Sequence, residues 1–542
     1  MSKRWKKVMA LGLAAVLCML PACGKANTSG TAGTEGGGSA AAEENQGAGG
    51  NEGISEDSPY RDKGFDLSKH EDVVMYAIGD RPEDMDMVLE KLNGEYLEPW
   101  LNTTLDMKFL SWSDVQTKYS LLLAGGEKVD LMYTSSWCNY NSEAGKGAFK
   151  ELTPEFLQTY LPYSYEIQAP ESWDQVMISG KIFAIPKNYA VFNNYNMIAV
   201  RKDLMEKHGI GEINSWDTMK EALITLAEKE TQNGIYANGQ RGNAEFADHV
   251  WWQHIEAEPL ASGFDFMYFT HGEEKLPDWD KDVFYKYTAP ECLELYMEMA
   301  ELAKKNVWSP NKINDTSDAQ TNFESGKTAS FIWNSTIVSA GENLEKAGIG
   351  TYEIFDVTPN TKAQRGSYAD DTIAIPNASK IPERAALVLD CLKGFPEVNN
   401  LVVGGIEGVH YEMTDDGKRK LGEAADRYGW GNWAWGITGK DSPQLYSDDP
   451  RSSMMDEMCT AKEYTPVASG FTFDKKNVEA ELAVITSIVQ EYGASFNIGL
   501  FGDETEAKYQ EFIGKLEEAG LSKVMEECRV QYEAFCERKG QE

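Results

Sequence analysis

The stretch EDVVMYAIGD, residues 71–80, decides the fold, because its centre from Val73 to Ile78 is an unbroken apolar run. Such a short run between polar residues is typical of a strand that is buried on both faces of a parallel sheet. Apolar residues then follow at Val88, Leu92 and Tyr96, a spacing that places them on one face of a helix. A buried strand followed by an amphipathic helix predicts an α/β fold.

The alternation of strand and helix continues along the chain. A second strand is predicted at Asp106–Leu110, and a capping box at Ser113–Gln116 predicts the start of the next helix. A third strand is predicted at Val129–Tyr133. This βαβαβ order implies a mostly parallel sheet with helices on both faces, and ligands of such sheets bind beyond the carboxyl ends of the strands.

A second α/β series follows residue 186, so we expect at least two lobes. Its first strand is predicted at Tyr195–Val200, and Ser215 is predicted to cap the next helix. The remaining predicted elements are a helix that closes at Phe323–Lys327, strands at Ala329–Trp333, Tyr352–Val357 and Thr372–Pro376, and amphipathic helices from Lys476 to Lys539.

The N-terminus carries the pattern of a secretory signal. Four basic residues among the first seven precede an apolar run from Val8 to Leu20. This run is shorter than the roughly 20 residues that a membrane-spanning helix needs. Residues Leu20–Cys23 read LPAC and resemble a bacterial lipobox, in which the cysteine thiol receives a diacylglycerol and becomes the mature N-terminus.

We therefore predict a signal peptide at residues 1–22 and a lipid anchor on Cys23, which place the protein at the extracytoplasmic face of the bacterial cell membrane. An ordinary secreted protein that is cut nearby is the alternative, but no good Ala-x-Ala site competes. Residues 24–58 are mostly small and polar, with Ile54 as their only large apolar residue, so we predict a disordered tether at 23–59.

Charge and cysteine content exclude several classes of function. The net charge of −36 excludes nucleic acid as a partner, because phosphates require a basic surface. The cysteines of the body lack the close spacing of a zinc site and the density of a disulfide scaffold. We therefore predict no metal and no cofactor. These cysteines are Cys138, Cys292, Cys391, Cys459, Cys528 and Cys536.

Several segments occur in the order found in family 1 extracellular solute-binding proteins, the maltose-binding-protein type, and the chain resembles that family over essentially its whole mature length. The matching segments are Val129–Leu131 with Ser135–Trp137, Gly147–Phe149 with Leu152, Gly180–Pro186, Arg201–Leu204 and Phe323–Ala329. Pro382–Ala385, Gly405–Tyr411 and the helical tail resemble the Gram-positive lipoprotein subgroup that carries an uncharacterised C-terminal domain.

This resemblance implies a two-lobed periplasmic-binding-protein-like fold of the class II type with an added helical C-terminal region. The expected ranges are 60–190 and 367–405 for lobe I, 191–366 for the first part of lobe II, and 406–542 for the completion of lobe II and the helical tail. The chain would cross between the lobes near Asn188–Asn194 and return near Gly366–Asp371.

The resemblance also implies the function: a monomeric lipoprotein that captures an oligosaccharide in the cleft between its lobes and delivers it to the permease of an ABC importer. In such proteins the lobes close on the ligand by hinge motion. A second solute class, such as peptides, stays open as an alternative.

Sugars present apolar C–H faces and polar edges, so their sites combine aromatic platforms with hydrogen-bonding side chains. Trp137 follows the third predicted strand and Trp112 the second, although Trp112 can equally pack beside its helix start. Asp80 follows the first strand, where a helix cap completed by Glu83 is the competing role. These three loops are expected to face the ligand.

Topology adds weaker candidates, for each of which a structural role is the alternative. Trp430, Trp433 and Trp435 alternate with small residues, as in an aromatic cluster of the core or at a cleft rim. The other candidate ligand-binding residues are Tyr189 at the first crossing, Trp333 and Asn334 at the end of a strand, Tyr368, Asp370 and Asp371 at the return crossing, and Glu407 between glycines.

Enzyme signatures are mostly lacking. The sequence has no HExxH zinc helix, no GxSxG elbow and no GxxxxGK[ST] loop, and His249 and His254 are five residues apart rather than four. We therefore expect no catalytic residues. Glycoside hydrolysis needs only two carboxylates about 5 to 10 Å apart, so a lipid-anchored glycoside hydrolase or another surface carbohydrate-active protein stays an alternative.

Overall fold

A computed structural model describes residues 53–540 with internal gaps. The gaps are residues 191, 193–196, 240–244, 252–256, 261–266, 271–274, 315–316, 358–362, 364, 430–445, 447–448, 462, 465–466, 469–470 and 472. The predicted signal peptide, Cys23 and Trp430, Trp433 and Trp435 lie outside the described residues.

The described residues form fifteen strands and twenty α-helices. The strands are β1 Glu71–Ile78, β2 Thr103–Leu110, β3 Leu131–Thr134, β4 Met177–Ile178, β5 Lys181–Ile182, β6 Ala184–Pro186, β7 Met197–Arg201, β8 Ala257–Pro259, β9 Met267–Thr270, β10 Val283–Tyr285, β11 Ser330–Ile332, β12 Tyr352–Asp356, β13 Thr372–Ala374, β14 Tyr411–Met413 and β15 Arg419–Leu421. The helices are α1 Met85–Leu92, α2 Glu98–Leu101, α3 Trp112–Ala124, α4 Tyr140–Gly145, α5 Pro154–Tyr160, α6 Ser164–Ile167, α7 Pro170–Gln175, α8 Lys202–His208, α9 Trp216–Glu230, α10 Glu245–Trp251, α11 Trp279–Asp282, α12 Pro290–Lys304, α13 Ala319–Glu324, α14 Thr336–Lys346, α15 Pro382–Gly394, α16 Pro396–Gly404, α17 Arg451–Ala461, α18 Glu479–Asn497, α19 Thr505–Glu518 and α20 Leu521–Lys539.

The first sheet has five strands in the order β2-β1-β3-β13-β6. Strands β1, β2 and β3 are parallel, as predicted, and Glu71 to Ile78 pair in register with Thr103 to Leu110. Strand β13 joins the sheet after more than 180 residues and is antiparallel to β3 and β6. The apolar run of β1 is buried at the centre of this sheet, which explains its unbroken hydrophobicity.

We call the residues packed around this sheet the first lobe. Its core includes helix α15, which is buried from Arg384 to Lys393. The carboxylate of Asp390 accepts hydrogen bonds from the Tyr60 hydroxyl at 2.7 Å and from the Ser164 amide and hydroxyl, both at 2.7 Å. Burial raises the pKa of the Asp390 carboxyl, and these donors oppose that shift.

The predicted tether is too long at its C-terminal end. Ile54 is buried in the core of the first lobe, and the Ser58 hydroxyl donates to the carbonyl of Trp100 at 2.8 Å. The Arg61 guanidinium also donates to the Ile54 carbonyl at 2.7 Å. Composition alone missed this, because a single apolar side chain suffices to dock a polar segment when a pocket receives it.

The second lobe is built on the sheet β11-β7-β12, in which both outer strands are antiparallel to the buried central strand β7. Ser215 caps α9 as predicted: its hydroxyl accepts from the Thr218 amide, and the Thr218 hydroxyl accepts from the Ser215 amide. A second three-stranded sheet, β10-β9-β8, lies in the same half of the chain. Two sheets with separate cores confirm the predicted two-lobed α/β class.

The C-terminal helices α18, α19 and α20 share a core with α12 of the second lobe. Tyr296 of α12 stacks on Phe496 of α18 with ring centroids 4.6 Å apart. The Trp308 indole N–H donates to the Ile498 carbonyl at 3.0 Å. The C-terminal helices therefore complete the second lobe.

Residues 406–428 pack on the first lobe rather than the second. The Tyr428 hydroxyl donates to the Val402 carbonyl at 2.9 Å, and Tyr428 belongs to the core of the first lobe. His410 accepts from the Ile406 amide through Nδ1 at 2.8 Å, so its Nε2–H faces the buried Asp84 carboxylate, 3.2 Å away. The predicted range 406–542 therefore includes a segment of the first lobe.

Two predicted helix starts are wrong. Helix α1 begins after Asp84, not after Asp80, and the Asp84 carboxylate binds His410 and Arg427 instead of capping the helix. Helix α3 begins at Trp112 with Ser111 as its N-cap, so the capping box predicted from Ser113 does not form. Local motifs failed in both places because tertiary partners and the preceding strand end set the start of the helix.

Candidate functional site

Two tryptophans meet at the carboxyl edge of the first sheet. Trp112 follows β2 and Trp137 follows β3, the two strands on either side of β1. Their rings are stacked, with centroids 6.2 Å apart and an interplanar angle of 25°. Each side chain is 53 % exposed, a large value for two neighbouring indoles. We call this exposed pair the tryptophan platform.

Gly79 ends β1 next to the platform. Its φ of +114° lies in a region that residues other than glycine rarely adopt. A Cβ atom here would lie 3.9 Å from the indole nitrogen of Trp112, which is ordinary van der Waals contact, so the backbone conformation is what requires glycine. Asp80, the next residue along the chain, is exposed.

The orientation of Trp137 is set by a residue 233 positions away. Its indole N–H donates to the carbonyl of Asp370 at 2.9 Å. The same carbonyl accepts from the Ser135 hydroxyl at 2.6 Å. These two donors hold the loop after β3 against the return crossing.

The side chain of Asp370 points back into the same network. Its carboxylate accepts from the Ser136 hydroxyl at 2.8 Å. Burial raises the pKa of the Asp370 carboxyl, while the nearby Lys187 ammonium and the Ser136 hydroxyl lower it less strongly. The predicted residues Trp137 and Asp370 are thus joined by direct contacts.

Asp371 forms a mostly buried ion pair with Lys187. The Lys187 ammonium lies 2.9 Å from the Asp371 carboxylate, with side-chain exposures of 4 % and 14 %. The Tyr133 hydroxyl donates to the other carboxylate oxygen at 3.0 Å. Both charges are therefore compensated, and this pair fixes the first crossing to the return crossing rather than presenting a free carboxylate.

Tyr189 and Tyr368 lie on these two crossings. The Tyr368 amide donates to the Gln175 side chain at 2.9 Å, and its hydroxyl lies 3.5 Å from the Glu171 carboxylate. The Tyr189 hydroxyl accepts from the Arg365 guanidinium at 2.9 Å. Both rings are half-buried.

The last three candidates have other surroundings. Trp333 packs against the core around Phe331 in the second lobe. The Asn334 side-chain oxygen accepts from the Thr336 amide at 3.0 Å, which closes a local turn just before α14. Glu407 is exposed in the turn that His410 holds against the start of α1.

Sequence reasoning missed several residues of this network. Tyr133, Ser135 and Ser136 belong to the strand and loop that carry Trp137, so the topological rule that selected Trp137 also covered them. Lys187 and Arg365 gave no signal, because their partners lie more than 90 residues away. Within the described ranges, no group of three His, Cys, Asp or Glu residues could hold a metal ion, and no helix is long and apolar enough to cross a membrane.

A two-lobed α/β protein with an exposed aromatic platform at the carboxyl edge of one sheet has the architecture of a solute-binding protein. The chain belongs to the bacterial extracellular solute-binding protein family, whose model matches residues 101–394. A domain of unknown function, DUF3502, matches residues 467–537. The resemblance drawn from the sequence, including its uncharacterised C-terminal domain, is confirmed, and the family places the protein outside the cytoplasm.

Individual relatives agree with this assignment. A carbohydrate ABC transporter substrate-binding protein of Streptococcus pneumoniae serotype 4 is 25 % identical over 487 residues, which cover 86 % of this chain and 91 % of the relative. The crystal structure of the N-glycan transport solute binding protein of Streptococcus pneumoniae superimposes with a TM-score of 0.66 at 21 % identity. The match covers 87 % of this chain and 100 % of that one. That protein has also been solved in complex with Man1GlcNAc and with Man5GlcNAc.

An HMO-binding, ABC-transporter-associated solute binding protein of Bifidobacterium longum infantis has a TM-score of 0.62 at 15 % identity, over 86 % of this chain and 99 % of that one. At these identities the solved structures establish the two-lobed fold. These relatives are binding proteins of transport systems.

Proposed function

We propose that the protein captures an oligosaccharide between its lobes and delivers it to the permease of an ABC importer, without catalysing a reaction. The observation that carries this proposal is the tryptophan platform of Trp112 and Trp137. Two exposed indoles, stacked with their ring planes 25° apart, offer apolar faces that match the C–H faces of pyranose rings.

Polar groups on the same loops and on the return crossing suit the edges of a sugar. Asp80 follows β1 and is exposed, and Glu171 lies 3.5 Å from the hydroxyl of Tyr368. Carboxylates and phenol hydroxyls accept and donate the hydrogen bonds that sugar hydroxyls need. The ligands of the pneumococcal N-glycan transport protein, Man1GlcNAc and Man5GlcNAc, make mannose-containing glycans the first candidates.

The proposal that the protein catalyses no reaction is supported by the contacts of Asp370 and Asp371, because neighbouring side chains already bind both carboxylates. Asp371 is paired with Lys187, and Asp370 accepts a hydrogen bond from Ser136. The charge of Asp371 is already compensated, and the relatives described above are binding proteins of transport systems. Incubation with a glycan that binds should therefore release no reducing ends.

We further propose that a diacylglycerol on Cys23 anchors the protein and that the following residues tether the folded body, which acts as a monomer. The lipobox motif and the polar composition of residues 24–53 support this. Expression in a bacterium with a lipid label should give a labelled protein that partitions into detergent, and Cys23→Ala should lose both properties. A wild-type protein that stays in the aqueous phase would refute the anchor.

Thermal shift with defined glycans tests the central proposal. A ligand at 100 times its dissociation constant should raise the free energy of unfolding by about 2.7 kcal/mol. We expect Man5GlcNAc or a related glycan to raise the melting temperature, and we expect the Trp112→Ala/Trp137→Ala double variant to lose the shift. Stabilisation by peptides and by no glycan would overturn the carbohydrate assignment.

A further inference from the structure

Two of the segments that connect the lobes are neighbours. Residues 187–190 leave the first lobe after β6, and residues 365–368 return to it before β13. They run side by side, and the Lys187 amide donates to the Tyr368 carbonyl at 3.3 Å. Any rotation of one lobe against the other must change backbone torsions in such connecting segments. Contacts at this place therefore bias the balance between arrangements of the lobes.

Arg365 lies on the return crossing and contacts the first crossing where the two segments meet the second lobe. Its guanidinium donates to the Tyr189 hydroxyl at 2.9 Å and to the Ala190 carbonyl at 3.3 Å. It also lies over the Phe192 ring, 4.3 Å from the centroid. One side chain thus holds three positions of the first crossing.

The same guanidinium forms a two-pronged ion pair with Glu463. The donor–acceptor distances are 2.8 Å and 3.3 Å, with side-chain exposures of 23 % for Arg365 and 36 % for Glu463. Glu463 itself is fixed, because the next amide, of Tyr464, donates to the Ala363 carbonyl at 2.7 Å. Ala363 belongs to a core of the second lobe. The ion pair therefore ties both crossings to that lobe.

The return crossing also reaches the tryptophan platform. Five residues after Arg365, the Asp370 carbonyl accepts the indole N–H of Trp137. The segment 365–370 therefore carries the contacts of Arg365 at its start and the contact with the tryptophan platform at its end. Movement at Arg365 would shift the backbone to which Trp137 is bonded.

We propose that Arg365 is a positioning residue whose contacts with Glu463 and Tyr189 stabilise the present arrangement of the lobes, and that it thereby sets ligand affinity without touching the ligand. This proposal rests on the proposed capture of a glycan between the lobes. A ligand shifts such an equilibrium only by its different affinity for the two arrangements. Removing the contacts of Arg365 changes the fraction of molecules that have the lobe arrangement to which the ligand binds. The apparent affinity for the ligand changes with that fraction.

The test compares Arg365→Gln, Glu463→Gln and the double variant. The control is Arg529→Gln, which breaks a comparable ion pair with Asp280 on the surface of α20. Backbone hydrogen exchange without ligand reports on residues 187–190 and 365–368, and calorimetric titration with Man5GlcNAc measures affinity. Melting temperatures identify any variant that fails to fold, and Arg365→Lys retains the charge for a milder version of the test.

We expect both single variants to accelerate exchange in the crossings and to change the dissociation constant in the same direction by roughly threefold to tenfold. The double variant should change it no more than Arg365→Gln alone, since Arg365→Gln already removes the ion pair that Glu463→Gln breaks. Unchanged exchange, or fully additive effects, would assign Arg365 a packing role and overturn the proposal. If wild-type protein does not bind Man5GlcNAc, the proposed function fails for this glycan while the exchange experiment still decides the role of Arg365.

Discussion

Replacing Trp137 by alanine should weaken glycan binding about tenfold. Trp137 is 53 % exposed, and a tryptophan offers about 250 Å², so about 130 Å² is open to a ligand. Covering all of it would contribute about 3 kcal/mol at about 25 cal/mol per Å². A sugar ring covers one face of the indole, about half of that area. The expected loss is therefore about 1.5 kcal/mol, which corresponds to a tenfold rise in the dissociation constant.

Calorimetric titration with a glycan that stabilises the wild-type protein measures this loss. Trp112→Ala should have a similar effect, because Trp112 has the same exposure and stacks on Trp137. Trp137→Phe keeps a flat ring but loses the N–H bond to Asp370, so it separates stacking from positioning. Leu121→Ala, at an exposed site on α3, is the control for a general surface change.

An unchanged dissociation constant for Trp137→Ala, with binding retained by the wild-type protein, would refute the reasoning. A large loss in Trp137→Phe together with little further loss in Trp137→Ala would show that the hydrogen bond to Asp370 matters more than the aromatic face. The melting temperature of Trp137→Ala without ligand should fall modestly, because the substitution also removes the covered part of the indole and its hydrogen bond to Asp370; binding is therefore compared at a temperature where both proteins are folded.

Burial lowers the pKa of the Lys393 ammonium to about 7, so the unfolded chain binds more protons than the folded chain between about pH 7 and 10. The free energy of unfolding should therefore rise with pH in this range, by up to about 1.4 kcal/mol per pH unit. Denaturant titrations should show that Lys393→Met loses this slope. Burial raises the pKa of the Glu230 carboxyl, but hydrogen bonds from neighbouring side chains lower it to about 2. The ionised carboxylate should therefore stabilise the fold above its ordinary pKa of 4.5, and this stabilisation should disappear as the pH falls towards 2. Glu230→Gln should show a smaller loss of melting temperature over that pH range. Gly341→Ala should destabilise by about 1 to 3 kcal/mol, because its Cβ would clash with the Tyr352 ring, whereas Gly493→Ala, in a helix with open space around it, should stabilise by up to about 1 kcal/mol in the same denaturant assay.

Three results would contradict these expectations. A stability profile that is flat from pH 7 to 10 would mean that water reaches Lys393. An acid transition that Glu230→Gln leaves unaltered would place the responsible carboxylates elsewhere. Equal effects of the two glycine substitutions would show that the Tyr352 ring moves aside without cost.

Regular elements with strong patterns could be predicted, and irregular ones could not. The βαβαβ start, the strand at β12 and the cap at Ser215 depend on local spacing, and the structure confirms them. The starts of α1 and α3 and the docking of Ile54 depend on partners that only the folded chain brings close. Hydrophobic periodicity carries no information about such partners.

Some features of the candidate site follow from local sequence patterns, and others depend on contacts between distant residues. The sequence alone determined that Trp112 and Trp137 follow two strands of one mostly parallel sheet, because the carboxyl ends of parallel strands lie at a common edge. Only the tertiary structure decided that the two indoles stack, that the Asp370 carbonyl orients Trp137, and that Arg365 holds both crossings to Glu463. These contacts join residues up to 233 positions apart, and their geometry depends on how two separately packed cores are connected, which no local pattern encodes.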